Sequence, residues 1–221
     1  MLVSMKKILS FFILLFTTIH CSVAQQTIQS PDKMLEIKVN GLQPLQFSAW
    51  LNGAVMVENI TADMEFNDVS VIPSGKAAFK KTSVSTSITV APSFKHKLVR
   101  DEYNLLTIQY NASVAAEIRV YNDGFAYRFV TKKTGEAEVN EKFDIRFPAD
   151  YKMYASLLKG FESSYEESYK LMPLSQLPKD QVSYMPVLFD KEKGNKIFLS
   201  DANINDYPHL FVQKGAGNML T

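Results

Sequence analysis

Residues 117–129, EIRVYNDGFAYRF, decide the fold class. Every second position on either side of a central Asn122-Asp123-Gly124 carries a large apolar side chain: Ile118, Val120, Phe125, Tyr127 and Phe129. A period of two places each apolar set on one face of a β-strand. An Asp-Gly pair supplies the positive φ angles of a tight turn. This stretch therefore predicts an antiparallel β-hairpin.

The same alternation recurs along the chain, at Leu35 to Val39, Val84 to Val90 and Phe143 to Phe147. Turn-forming clusters separate such runs: Ser30-Pro31-Asp32, Pro73-Ser74-Gly75 and Lys193-Gly194-Asn195. No stretch after the first 24 residues keeps a helical period of 3.6. The sequence therefore predicts an all-β fold, a sandwich of antiparallel sheets.

Composition limits the class of protein. The chain has 221 residues, of which 46% are hydrophobic and 21% charged, which suits one substantial core rather than a disordered tail. The formal net charge is only +1, so the chain lacks the basic balance typical of a nucleic-acid binder.

The first 24 residues have the pattern of a secretory signal peptide. Lys6 and Lys7 precede an apolar run from Ile8 to Phe16, and Ser22-Val23-Ala24 offers small residues for cleavage. The run is too short to span a bilayer, so we predict no membrane span. Cleavage after Ala24 would turn the net charge from +1 to −1. We expect export, with the periplasm as the destination.

Cys21 is the only cysteine and would leave with the signal peptide, so the mature chain would have no disulfides. The alternative is lipidation at Cys21, because the positive region and the apolar run suit both export routes. The bulky His20 stands where a lipidation motif wants a small residue.

Motifs for catalysis are missing from the sequence. It contains no G-x-S-x-G elbow, no P-loop and no dinucleotide fingerprint. After the signal peptide the histidines are His96 and His209, and acid–base chemistry needs a partner that the sequence does not identify for either. We predict no catalytic residue in this chain.

Two acidic segments are candidate sites. Tyr165-Glu166-Glu167 combines an aromatic ring with carboxylates, a set that can hold a sugar, although an exposed turn has the same composition. The second segment runs from Ser200-Asp201 to Tyr207-Pro208 and follows the apolar Ile197-Phe198-Leu199. A polar cluster at the end of a strand is a usual place for a binding loop.

The end of the sequence suggests an incomplete domain. Phe211-Val212-Gln213 predicts a strand, and we expect Lys214 to Thr221 to form a flexible loop after it. A domain rarely ends so soon after an apolar strand, so we interpret the sequence as a fragment of a longer protein.

Several of these segments together resemble one family. Their order along residues 27–221 is similar to the N-terminal domain of glycoside hydrolase family 97: Ser30-Pro31-Asp32, Tyr121 to Phe129, Ser164 to Glu167, Met185-Pro186-Val187-Leu188, and Ile197 to Pro208. The resemblance implies a galactose-mutarotase-like super-sandwich over residues 25–221, incomplete at its C-terminal end. It also implies a catalytic barrel that would follow in the same polypeptide and carry the reactive carboxylates.

The resemblance further implies an exported enzyme that acts on α-glucosides or α-galactosides and holds calcium in its active site. One calcium ligand would come from this domain, at Asp201, where the family usually has glutamate. Aspartate keeps the carboxylate but is one methylene shorter, and calcium accepts somewhat variable geometry. Tyr165, Glu166 and Glu167 are the expected sugar-binding residues, with carbohydrate as the partner.

Two alternatives remain open. The first is a free-standing exported sandwich that binds carbohydrate or protein through exposed aromatic residues, for which Trp50, Tyr165, Tyr169 and Tyr207 are candidates. The second is a mutarotase-like enzyme on the same sandwich, which would need a convergent acid–base pair.

Overall fold

The structure is a computed structural model, and it describes residues 25–91, 95–191, 194–202, 204 and 207–221. The predicted signal peptide and Cys21 lie outside the described residues. So do Lys193 of the third turn cluster and Asn203, Asn205 and Asp206 of the second candidate segment.

The described residues form eighteen strands and one short 3₁₀-helix, Leu174–Gln176. In chain order the strands are β1 Gln26–Gln29, β2 Leu35–Leu42, β3 Leu45–Leu51, β4 Ala54–Phe66, β5 Val69–Ser70, β6 Ala78–Thr89, β7 Leu98–Gln109, β8 Val114–Val120, β9 Phe125–Thr131, β10 Val139–Arg146, β11 Lys152–Ala155, β12 Leu157–Leu158, β13 Lys170–Pro173, β14 Val182–Tyr184, β15 Val187–Asp190, β16 Lys196–Leu199, β17 Phe211–Gln213 and β18 Met219–Leu220.

The strands make four sheets in the described part of the chain, and every pairing is antiparallel. The largest has the order β1-β2-β3-β4-β10-β18, with β5 also pairing with β4. The second is β6-β7-β8-β9. The third is β13-β11-β15-β16 and the fourth β12-β14-β17. The predicted all-β antiparallel class is confirmed.

One hydrophobic core joins all four sheets. Its fully buried members include Phe47, Ile118, Phe189 and Val212, one from each sheet. The aromatic strand β9 packs edge-on against the core, since the rings of Phe47 and Tyr127 lie 5.7 Å apart. The alternation at Leu35, Ile37 and Val39 buries that face of β2 as expected, because all three are less than 9% exposed.

The hairpin between β8 and β9 is present, but its turn differs from the prediction. Neither Asp123 nor Gly124 has a positive φ angle. The loop has four residues and closes with a hydrogen bond from the Tyr121 N–H to the Gly124 carbonyl, 2.8 Å long. Loops of this length are built around turns with negative φ. The left-handed two-residue turn is instead at Asn52-Gly53, between β3 and β4, with φ of 51° and 78°.

The prediction of a flexible loop from Lys214 to Thr221 is wrong. Met219–Leu220 forms β18, which pairs with β10, and Leu220 is fully buried. The Gln213 and Thr221 backbones exchange two hydrogen bonds, of 2.8 and 3.1 Å. A two-residue strand is too short to show a period in the sequence, so the glycine-rich composition dominated the prediction.

The run from Val84 to Val90 lies on a strand as predicted, apart from Val90, but its apolar face is exposed beyond the half-buried Val84. Strand β8 pairs with β7 only from Asn104 to Gln109, so the far halves of β6 and β7 form a two-stranded ribbon. Ile88 on this ribbon is 51% exposed. No helix of the described chain has the length and apolar character that crossing a bilayer requires.

Candidate functional site

The first candidate segment lies in the loop of residues 159–169, which joins β12 to β13. Tyr165, Glu166 and Glu167 are all exposed there. Tyr165 has a left-handed backbone, with φ of 56°, and its hydroxyl donates a 2.6 Å hydrogen bond back to the Phe161 carbonyl. The loop is therefore folded onto itself at Tyr165.

Side chains of Tyr184, on β14, and of Ser156 hold the backbone of the same loop in place. The Tyr184 hydroxyl donates a 2.5 Å hydrogen bond to the Tyr165 carbonyl. The buried Ser156 hydroxyl lies 2.6 Å from the Glu167 carbonyl and 3.0 Å from the Tyr184 hydroxyl oxygen. These contacts order the backbone on both sides of Glu166 while the carboxylates point into solvent.

Four rings form what we call the aromatic cluster: Phe161, Tyr165, Tyr184 and Phe211. Phe161 meets Phe211 edge to face at 5.0 Å, and Tyr165 meets Tyr184 edge to face at 5.6 Å. Phe161 is 61% exposed and Tyr165 40% exposed, so part of the cluster is open to solvent. An open aromatic surface beside two carboxylates can stack against a sugar ring and accept hydrogen bonds from its hydroxyls.

Asp201 follows β16, and its carboxylate is fixed by two contacts with residues 209 and 210. Its Oδ2 atom accepts a 3.1 Å hydrogen bond from the Leu210 N–H. The same oxygen lies 3.1 Å from Nδ1 of His209, whose ring is largely exposed. The Asp201 side chain is 18% exposed, so it is a tethered carboxylate near the surface.

The contact between Asp201 and His209 was missed from the sequence. The two residues are eight positions apart across an irregular loop, and no local period predicts that they meet. His96, in contrast, is exposed as expected.

Asp201 suits calcium chemically but would supply only part of a site. Calcium prefers oxygen ligands and takes six to eight of them. The carboxylate is already oriented by a backbone N–H, as metal-binding carboxylates usually are. The described residues contain no group of three or more His, Cys, Asp or Glu side chains placed to hold a metal. Asp201 is therefore not part of a cluster of such side chains within the described residues.

A carboxylate between two tyrosines anchors the far end of the Asp201 segment. The Tyr207 hydroxyl donates to Glu141 Oε2 and the Tyr127 hydroxyl to Glu141 Oε1, each over 2.9 Å. Burial, reinforced by the Glu141 charge, raises the pKa of both tyrosines above their usual value. The two phenols therefore remain protonated donors over the physiological range. This arrangement ties the segment to β9 and β10.

The other aromatic candidates are engaged within the chain. The Lys38 ammonium lies 4.1 Å from the centre of the Trp50 ring, and the Trp50 indole N–H donates to the Ser48 hydroxyl. The Tyr169 hydroxyl donates to the Pro186 carbonyl at 3.3 Å. The aromatic cluster thus offers a more open surface for a ligand than Trp50 does.

Comparison with known proteins places the chain in a family. The family model described as "Glycosyl-hydrolase 97 N-terminal" matches residues 28–220, nearly all of the described chain. The chain belongs to this family. The resemblance seen in the sequence is therefore confirmed.

A curated relative is the "Retaining alpha-galactosidase" of Bacteroides thetaiotaomicron. It is 26% identical over 226 residues, which cover 96% of this chain and 34% of that protein. The family 97 domain therefore spans about a third of the length of this relative.

Solved structures share the fold. A Glycoside Hydrolase Family 97 enzyme from Pseudoalteromonas sp. strain K8, in complex with panose, matches with a TM-score of 0.76 and 19% identity. The match covers 88% of this chain and 31% of that one. A beta-arabinopyranosidase matches with a TM-score of 0.70 and 20% identity, over 89% of this chain and 35% of that one.

Proposed function

We propose that residues 25–221 are the N-terminal accessory domain of an exported α-glycoside hydrolase. The enzyme would act on α-glucosides or α-galactosides. One observation carries the proposal: the family match runs through the whole described domain, while the chain spans only about a third of the relatives. The catalytic carboxylates would belong to a barrel in the same polypeptide, on which this domain packs.

Within that enzyme, Asp201 would be one ligand of an active-site calcium ion. The hydrogen bond from Leu210 to Oδ2 supports this role, because it aims the carboxylate without neutralising it. Calcium would supply a fixed positive charge that polarises oxygens of the substrate. Glu166 and Glu167 would accept hydrogen bonds from sugar hydroxyls, and Tyr165 would stack against the ring.

The test is calcium affinity and hydrolysis of aryl α-glycosides by the intact gene product. Asp201→Asn keeps the shape but removes the charge, so we expect calcium affinity to fall at least about 10-fold and activity to fall with it. Asp201→Glu restores the residue usual in the family and should bind calcium at least as tightly as the parent. Asp123→Asn, on the exposed hairpin loop, is the matched control.

Two results would contradict this assignment. Unchanged calcium affinity in Asp201→Asn would remove Asp201 from the metal site. An intact gene product without activity on either α-glycoside would remove the hydrolase function.

A free-standing carbohydrate-binding sandwich is the second candidate function, and the exposed rings of Phe161 and Tyr165 favour it. Glycan-array binding by the mature chain, residues 25–221, distinguishes the two. This candidate would be supported by glycan binding that is lost in Tyr165→Ala, together with the finding that the source cells make no gene product longer than this chain. No binding would count against it.

A further inference from the structure

The outer face of the sheet β13-β11-β15-β16 carries a continuous row of apolar side chains. Leu171 pairs with Tyr154, Tyr154 with Leu188, and Leu188 with Phe198, so one residue from each strand stands in register. We call these four residues the outer row. At a strand spacing of about 4.8 Å the row runs roughly 14 Å across the sheet.

The opposite face of this sheet shows that the row is not part of the core. Met153 pairs with Phe189 and Phe189 with Ile197, and these side chains pack into the common core. Because neighbours along a strand point to opposite faces, the outer row must point away from that core. Exposure is highest on the two outer strands, where Leu171 is 51% and Phe198 65% exposed, while Tyr154 and Leu188 on the central strands are half-buried.

The row has a polar boundary on one side. Lys196 and Asp190, two positions away along β16 and β15, form an ion pair of 2.6 Å. Single exposed apolar residues need no explanation, but an in-register row across four strands, edged by charge, is typical of an interaction surface.

The position of the row indicates what covers it. Strand β16 carries Phe198 and leads within three residues to Asp201, the candidate calcium ligand. A domain that completes a site at Asp201 would also reach the face on which Phe198 stands. The solved relatives have about two thirds of their length outside the matched region, enough for such a domain.

We propose that the outer row, Leu171, Tyr154, Leu188 and Phe198, is the surface on which the catalytic domain of the same polypeptide docks. This inference rests on the proposed function and adds to it the face that is used. The catalytic domain would cover the row with apolar side chains of its own.

Hydroxyl-radical footprinting tests the inference without altering the protein. The modification rates of Leu171, Tyr154 and Phe198 are compared between the 221-residue chain and the intact gene product, both as monomers at low concentration. We expect these rates to fall at least 5-fold in the intact product. Leu98, on the exposed ribbon and 61% exposed, is the matched control for Leu171 and should keep its rate.

Unchanged rates at Leu171 and Phe198 in an active intact product would overturn the docking face and leave the proposed function standing. Protection that arises in the 221-residue chain alone, on raising its concentration or adding panose, would assign the face to a second copy or a sugar and also overturn it. An intact product without glycosidase activity would instead defeat the proposed function.

Discussion

At the scale of single residues, the Glu141 carboxylate shows how the fold holds a surface segment in place. It accepts one hydrogen bond from Tyr127, on β9, and one from Tyr207, in the segment that carries Asp201. Glu141 itself lies on β10. One side chain therefore joins two sheets and the candidate metal-binding segment.

Because of this arrangement, we expect the free energy of unfolding to depend on pH in the alkaline range. Below the unfolded pKa of about 10, a tyrosine is protonated in both states and has no effect. Above it, the unfolded chain releases the proton while the raised pKa keeps it on folded Tyr127, so the free energy of unfolding falls with rising pH. We expect the free energy of unfolding to fall less steeply with pH above pH 10 in Tyr127→Phe than in the parent, by up to about 1.4 kcal/mol per pH unit.

Urea unfolding of the parent and of Tyr127→Phe, at several pH values from 8 to 11, measures how steeply the free energy of unfolding of each depends on pH. Equal slopes for the parent and Tyr127→Phe would show that the Tyr127 hydroxyl does not stay protonated in the fold.

The site could be predicted from the sequence in its residue types but not in its contacts. Tyr165, Glu166 and Glu167 do lie together at the surface, as an aromatic and acidic composition indicates. Phe161 and Phe211 complete the aromatic cluster from distant positions, and no local pattern marks them as neighbours. Their roles, and that of Asp201, remain predictions that the proposed experiments address.

At the scale of elements, backbone conformation rather than composition separates two glycine turns. Gly53 has a positive φ angle of 78°, whereas Gly124 does not, although both follow Asn or Asp. A Cβ atom would meet nothing within 4 Å at either position, so only the backbone distinguishes them. Gly53→Ala should therefore cost about 1 kcal/mol of unfolding free energy, and Gly124→Ala should change it by less than about 0.5 kcal/mol.

Thermal or urea unfolding of the two alanine variants checks this prediction. A larger loss in Gly124→Ala than in Gly53→Ala would mean that the Asp123-Gly124 turn has the left-handed geometry expected from the sequence.

Element prediction succeeded where a period is long and failed where it is short. The alternation at Leu35 to Val39 and at Phe125 to Phe129 gave correct strands. The same alternation at Val84 to Ile88 gave a correct strand with an exposed face, because a period identifies a face but not what covers it. Strand β18 has two residues and offers no period at all.

At the scale of the whole molecule, the sheet β13-β11-β15-β16 has one face in the common core and one outside it. Phe189, fully buried on the inner face, lies 4.3 Å from the Phe147 ring, whereas Phe198 on the next strand is 65% exposed. In the 221-residue chain Phe189→Ala should cost about 4 kcal/mol of unfolding free energy. Phe198→Ala should cost less than about 0.5 kcal/mol.

Denaturant unfolding of these two variants compares the same substitution on the two faces of one sheet. Similar losses for both would mean that the outer row is buried within this chain, and the docking surface would then be excluded.

We propose that this domain is one part of a longer, exported glycoside hydrolase. The most direct test is the mass of the native gene product recovered from the exported fraction of the source cells. We expect a product that begins at Gln25 and is about three times as long as this chain, because this chain covers 34% of the curated relative. A native product that ends at Thr221 would contradict it.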